Sequence, residues 1–398
     1  MTSLLLATAC AGPVLAANTA EPVSALAASA SELPRAWPEQ VGVDSRQLVR
    51  LSEWIRKENL DVRSLLVIKD GKLIFERYSK GLTRDHNYEL YSITKGVTAL
   101  SAGILMNEGR LSLDDKVSTT IAKFRPDLKD SLADKKAIEL RHLLAMSSGL
   151  FYDFKPKDDP IYYGAPDRLK LAANTSPKIA PGKEFEYTDV NPIFAAAMVS
   201  AAAGMPVEKY AEEKLFKPLA MKNYAWDRAD KTGLVSAGWG LRLRPVDMAK
   251  IGLLVMDGGK WQGQQIVPAA WIKQMATPKA ARDFGYYLWL NHIVETEPEL
   301  DMMGFKGQFI SVLPKRNTVV VMTSMLPIEG GLRNAKNVRI FRDIVNDFII
   351  PATDNKTTPS EAAQQALQHE LKLSAQSQGN PGVAADPTDT PRNSTASN

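Results

Sequence analysis

Cysteine is almost missing from this chain: Cys10 is the single one in 398 residues. An internal disulfide and a Cys-rich metal site are therefore excluded. Histidine is scarce as well. His86, His142, His292 and His369 are scattered, and no two have the i, i+4 spacing that places metal ligands on one helix face. No metal and no cofactor is expected. A G-x-S-x-G elbow is also missing, which removes the usual support for a Ser-His-Asp triad. The net charge of +4 is small, and no basic stripe with interleaved aromatics invites nucleic acid. No apolar run reaches the roughly 18 residues that a membrane span requires. What remains, 44% hydrophobic and 24% charged residues, is ordinary for a globular protein.

The two ends differ from the middle. Residues 3 to 16 form a short apolar stretch that closes on Val14-Leu15-Ala16, a small-residue cleavage pattern. It resembles a signal peptide without the positive n-region, and implies a periplasmic or secreted protein. Lipoprotein-type processing at Cys10 and a disordered Ala-rich leader are the alternatives. Residues 17 to 36 are rich in Ala, Ser and Pro and read as a linker. The expected division is a leader over 1–32, one folded unit over 33–352, and a tail over 353–398. In the tail a short helix, about Pro359 to Leu373, precedes a Ser-, Thr-, Pro- and Asn-rich stretch with too little to bury.

Within the folded unit, Ser64 to Lys69 and Lys72 to Ser79 are β-rich runs joined at Asp70-Gly71, a strong hairpin signal. Ser92 to Gly109, Ala195 to Ala203 and Asp247 to Met256 read as helices with apolar faces. Phe309 to Leu313 and Thr318 to Thr323 read as strands, and Asn337 to Ile349 as a last helix. A hairpin first, helices between, then strands and a helix predict a mixed α/β fold. Its central antiparallel sheet is formed by both chain ends, with a helical insertion.

The chemistry centres on Tyr91-Ser92-Ile93-Thr94-Lys95-Gly96. Ser and Lys three apart on a helix share a face. A serine hydroxyl is a weak nucleophile and needs a base beside it. A desolvated lysine loses proton affinity and can share protons with the serine. Ser92 at the first helical turn also meets the partial positive charge that favours an oxyanion. Taken alone the motif is common, and a capping serine with a solvated lysine explains it equally well.

Its surroundings are more specific. ELYSITKGVTALSAGILMNEGRLSLDDKV, IELRHLLAMSSGL, PGKEFEYTDVN, KLFKPLAMKNYAWDRAD, GWGLRLRPVDMAKIGLLVMDGGKWQGQQIVPAAWI, and GFKGQFISVLP followed by NTVVVMTS occur in that order across residues 38 to 350. This ordered set resembles the serine β-lactamase-like, penicillin-recognising hydrolases of class C type. It is most similar to the branch of 6-aminohexanoate-oligomer hydrolases and esterases. The resemblance implies a β-lactamase/transpeptidase-like fold with Ser92 as nucleophile, Lys95 beside it and Tyr187 as general base or relay. It places Gly307 and Gln308 at the substrate, with the Ser92 and Gln308 amides as oxyanion hole.

Two positions depart from the pattern. The family's Tyr-x-Asn is here Tyr187-Thr188-Asp189. Asn donates a hydrogen bond, whereas ionised Asp only accepts. Asp189 either holds Lys95, recognises a cationic substrate, or is structural with Asn191 as the donor. The family's Lys-Thr-Gly is matched by Phe305-Lys306-Gly307. A literal Lys231-Thr232-Gly233 sits in a charged loop and is rejected. On a strand, Lys306 would point away from Phe305 and could not replace the missing cation. A substrate carboxylate would lose its partner. Trp239, Tyr286, Tyr287 and Trp289 either line the cleft or belong to the core.

The expected activity is hydrolysis of a small-molecule ester or amide through a Ser92 acyl-enzyme. The alternatives are a β-lactamase or D-Ala-D-Ala carboxypeptidase, and a weakened family member that binds peptide or cell-wall fragments. Nucleic acid and an integral membrane segment after processing are not expected, and composition sets no oligomeric state.

Overall fold

The computed structural model describes residues 32–155, 159–227, 229–330, 333–354, 358 and 360–377. Residues 1–31, which hold Cys10 and all but the last residue of the expected leader over 1–32, and residues 378–398 of the expected tail lie outside the described residues.

Six strands form the central sheet: β1 (Val62–Lys69), β2 (Lys72–Tyr78), β3 (Trp289–Leu290), β4 (Leu300–Gly304), β5 (Gln308–Leu313) and β6 (Thr318–Ser324). They lie in the order β2-β1-β6-β5-β4-β3, each antiparallel to its neighbour. The first hairpin turns at Asp70 and Gly71, whose φ values of 51° and 74° are the left-handed pair that a two-residue hairpin requires. β1 then pairs with β6, Val67 opposite Val320, so early and late segments of the chain close the sheet together. β6 is buried along its whole length, which explains its run of apolar residues.

Helices cover both faces. α1 (Ser45–Lys57) is capped by Asp44, whose carboxylate accepts from the Arg46 amide at 3.0 Å. α2 (Ile93–Asn107) is buried from Ile93 to Leu105, α3 is Val190–Ala203, and α4 is Pro245–Met256. α5 (Lys336–Asp343) runs on through Ile344–Ile349, and α6 is Glu361–Ser374. Neighbouring strand residues face opposite layers. Phe309 stacks on Phe341 of α5 at 4.1 Å, whereas on the other face Val319 and Ile310 pack against Gly252 of α4. α2 and α3 stand in the insertion between β2 and β3. α6 is not an appendage: its Glu370 is buried against Ser52 and Arg56 of α1. Among the described residues no single helix is long and apolar enough to cross a membrane.

Candidate active site

Ser92 is placed by a short strand that turns abruptly into α2. Tyr88–Glu89 pairs with Leu241–Leu243, and the Leu90 amide continues the pairing to the Leu241 carbonyl at 2.9 Å. Tyr91 then takes φ 47°, left-handed and costly for an aromatic residue, and throws the chain into the helix. Ser92 caps α2 without bonding its side chain to the helix amides. The hydroxyl instead accepts from Lys95 of the same helix.

Lys95, one turn on, is buried, and its Nζ donates to Ser92 Oγ at 2.9 Å and to the Gly238 carbonyl at 3.0 Å. Asp189 Oδ1 lies 2.7 Å from the same nitrogen. Burial works against the Lys95 ammonium. The Asp189 carboxylate and Tyr187 more than offset it, so the proton affinity of Lys95 is raised above that of a free lysine. The sequence-based expectation of a lysine with reduced proton affinity is thus corrected. Asp in place of Asn supplies the negative charge that keeps Lys95 an ammonium.

Asp189 is the N-cap residue of α3 and already has helical backbone angles. Of the three roles open to it from sequence, the geometry shows the hold on Lys95. Asn191 is fully buried and donates to Met146 Sδ at 3.3 Å, so it faces the core and offers no donor to the cleft. Tyr187 stacks on Trp289 at 5.9 Å and meets the edge of Phe284 at 6.2 Å, while Lys95 Nζ lies 5.1 Å from its ring centre.

Gly238 belongs to a segment that runs along the first turns of α2. Thr98 donates to the Ala237 carbonyl at 3.4 Å, and the Leu241 amide donates to Thr94 at 3.4 Å. A Cβ at Gly238 would stand 2.8 Å from Asp189 Oδ1 and 2.9 Å from Pro192, so only glycine lets this backbone reach Lys95.

Phe305, Lys306 and Gly307 form the turn between β4 and β5, with φ 61° at Lys306 and 91° at Gly307. Being in a turn, Phe305 and Lys306 do not alternate. Both lean on Tyr91, with the Phe305 ring 5.5 Å and Lys306 Nζ 5.9 Å from its ring centre. The expectation that Lys306 points away from Phe305 is corrected, because the strand begins only at Gln308. The turn is pinned from behind. Ser324 Oγ donates to the Lys306 carbonyl at 2.6 Å, and Gln308 Nε2 donates to the Ser324 carbonyl at 2.7 Å. A Cβ on Gly304 would come within 2.3 Å of the Leu90 carbonyl, which seats this turn directly beside Tyr91 and Ser92.

Lys231-Thr232-Gly233 lies in an exposed loop closed by Asp230, whose Oδ1 accepts from the Thr232 amide at 2.9 Å. Trp239, Tyr286, Tyr287 and Trp289 are all buried and back the site as core residues. Sequence reasoning missed Gly238 and Tyr162. The Gly238-Trp239-Gly240 triplet hints at close backbone approach. Tyr162 carries no signal, since its partner Asp189 is 27 residues away.

The beta-lactamase family profile matches residues 60–342. A protein of Salmonella agona (strain SL483), provisionally named a D-alanyl-D-alanine carboxypeptidase, is 28% identical over 230 residues, 50% of this chain and 52% of the relative. The chain thus spans about half the length of the curated relatives it matches. A solved structure from Bacillus anthracis, provisionally named a 6-aminohexanoate-dimer hydrolase, superposes with a TM-score of 0.65 at 19% identity, over 83% of this chain and 89% of that one. EstCE1, described as a hydrolase with promiscuous acyltransferase activity, superposes with a TM-score of 0.60 at 18% identity, over 76% of this chain and 99% of that one. At these identities the structural likeness is one of fold. The profile covers well over half of the sequence, and the chain belongs to the beta-lactamase family.

Proposed function

We propose that this chain is a serine hydrolase that cleaves an ester or amide through a Ser92 acyl-enzyme. The observation that carries this reading is the placement of the buried Lys95, its Nζ 2.9 Å from Ser92 Oγ and 2.7 Å from Asp189 Oδ1. Ser92 Oγ attacks the carbonyl carbon, and the bond to the leaving group breaks. The seryl proton passes by way of Tyr187 to the departing alkoxide or amine. Water then attacks the acyl-enzyme, returns a proton to Ser92 along the same route and releases the acid. Lys95, held as a cation, stabilises negative charge on the serine and tyrosine oxygens as it develops. On this reading the Ser92 and Gln308 amides serve as the oxyanion donors, as the family resemblance implies.

The exposed aromatic side chains nearby support an apolar group on the substrate. Phe305 is 47%, Tyr163 66% and Phe154 53% exposed. Phe305 touches Tyr91 beside Ser92, and the other two touch Tyr162 beside Asp189. Aromatic surface favours apolar groups.

Ser92→Ala is expected to lower hydrolysis of a nitrophenyl ester about 1,000-fold or more. A wild-type rate in that variant would overturn the reading. The name of the Salmonella relative motivates a second one, a D-Ala peptidase that recognises penicillin. Covalent labelling of Ser92 by a fluorescent penicillin would support it, and esterase turnover without labelling would remove it.

A further inference from the structure

We infer that Tyr162 is a positioning residue for the Ser92 nucleophile, acting through Asp189 and the backbone that cradles Lys95. This inference rests on the serine hydrolase reading and extends it to a residue outside every motif of the chain. Tyr162 Oη donates to Asp189 Oδ2, while Oδ1 of the same carboxylate faces Lys95 Nζ at 2.7 Å. Lys95 in turn donates to Ser92 Oγ at 2.9 Å. A carboxylate held by one oxygen alone can swivel about its Cβ–Cγ bond. Held by both, it presents a fixed charge to Lys95. The ring of Tyr162 adds a second hold. It lies 4.8 Å from Trp239, the neighbour of Gly238, whose carbonyl is the other fixed acceptor of Lys95. One side chain therefore touches both walls of the lysine's cradle.

The loop that carries Tyr162 is itself built to hold it. Asp159 is buried, and its carboxylate accepts from Tyr152 Oη at 2.8 Å, the Lys155 amide at 2.7 Å and the Ile161 amide at 2.9 Å. Arg168 Nε donates to the Ile161 carbonyl at 3.1 Å, and its guanidinium lies over Trp239 at 5.7 Å. The loop, the tryptophan and the tyrosine form one packed unit against the catalytic lysine. The Tyr162 hydroxyl is committed to Asp189, so its effect reaches the reaction through Lys95 and not through the substrate.

The test uses the full chain and two readouts, turnover of a nitrophenyl ester and the rate at which a fluorophosphonate labels Ser92. Tyr162→Phe keeps the ring on Trp239 and removes the hydroxyl alone. It is expected to lower kcat and the labelling rate about 10-fold, with KM unchanged. In an Asp189→Asn background the same substitution is expected to change either rate less than 2-fold, because the carboxylate it serves is gone. Equal losses in both backgrounds, a loss confined to KM, or wild-type rates in Tyr162→Phe would each overturn the inference. Failure of the probe to label wild-type Ser92 would instead overturn the serine hydrolase reading, so the two outcomes are separable.

Discussion

At the scale of single residues, the replacement of Asn by Asp at position 189 changes what Lys95 can do. A neutral amide at this position would leave Tyr187 alone to oppose burial, and burial favours the uncharged amine. A carboxylate 2.7 Å away reverses that, and the proton affinity of Lys95 ends above its ordinary value of 10.5. Asp189→Asn is therefore expected to move the alkaline limb of the kcat/KM profile to lower pH. The sign for stability follows from the same shift. The stabilisation from a raised lysine is fully present below the unfolded value and is lost only as pH rises through the folded one. Asp189→Asn should accordingly lower the thermal midpoint at pH 7, with the gap to wild type closing in strongly alkaline buffer. An alkaline limb that stays in place would mean that Lys95 is not the group it reports. Ser92, Lys95, Tyr187 and Asp189 were legible in the sequence because each lies in a short block of fixed spacing. Tyr162 was not legible, since a hydrogen bond across 27 residues leaves no local pattern.

At the scale of elements, α2, the helix that Ser92 caps, is packed in on all sides. Every residue from Ile93 to Leu105 is buried, so its sequence can show no polar face. Its glycines mark where neighbours come closest. A Cβ on Gly103 would stand 1.9 Å from Trp271 Cδ1, and the indole cannot withdraw. It is fixed by a 2.8 Å bond from Trp271 Nε1 to the Ala99 carbonyl and by stacking on Tyr286 at 5.4 Å. Gly103→Ala raises helix propensity but overpacks this contact, which typically costs about 1–3 kcal/mol. The expected result is a lower thermal midpoint, whereas a higher one would show that the indole moves freely. Gly96 offers the contrast. Its added Cβ would meet the Met302 thioether at 2.6 Å, and a flexible methionine tip can move aside. The long helices and the two hairpins near the chain ends had periodicity or turn chemistry to announce them. The two-residue strands Tyr88–Glu89, Ala225–Trp226 and Trp289–Leu290 had none, because they exist only through pairing with distant partners.

At the scale of the whole molecule, segments from early and late in the chain meet both in the sheet and among the helices. They pair as strands where β1 lies along β6, and they pack as helices where α6 lies on α1. The first meeting was foreseen from the order of elements. The second was not, because a short polar helix after residue 352 looked like the start of a tail. What holds it down is a buried charge cluster. Glu370 accepts from Arg56 at 3.0 Å and 3.2 Å and from Ser52 Oγ at 3.1 Å, and Ser52 Oγ accepts in turn from Arg77 Nε at 3.2 Å. Arg77 is buried on β2, where burial lowers its proton affinity to about 10 and the Glu370 charge works the other way. Removing one partner of such a group leaves uncompensated charge inside the protein, at a cost of about 3 kcal/mol or more. Glu370→Ala is thus expected to lower the thermal midpoint markedly and to expose α6 to limited proteolysis. Glu361→Ala, at an exposed position on the same helix, tests whether helix formation alone accounts for the loss, and it should leave the midpoint within a degree or two of wild type. Since α6 lies on the sheet face opposite α2, Glu370→Ala should keep the wild-type rate of Ser92 labelling at temperatures below its own midpoint. A fall in that rate under folded conditions would show that the C-terminal helix is coupled to the site through the sheet, and not merely docked behind it.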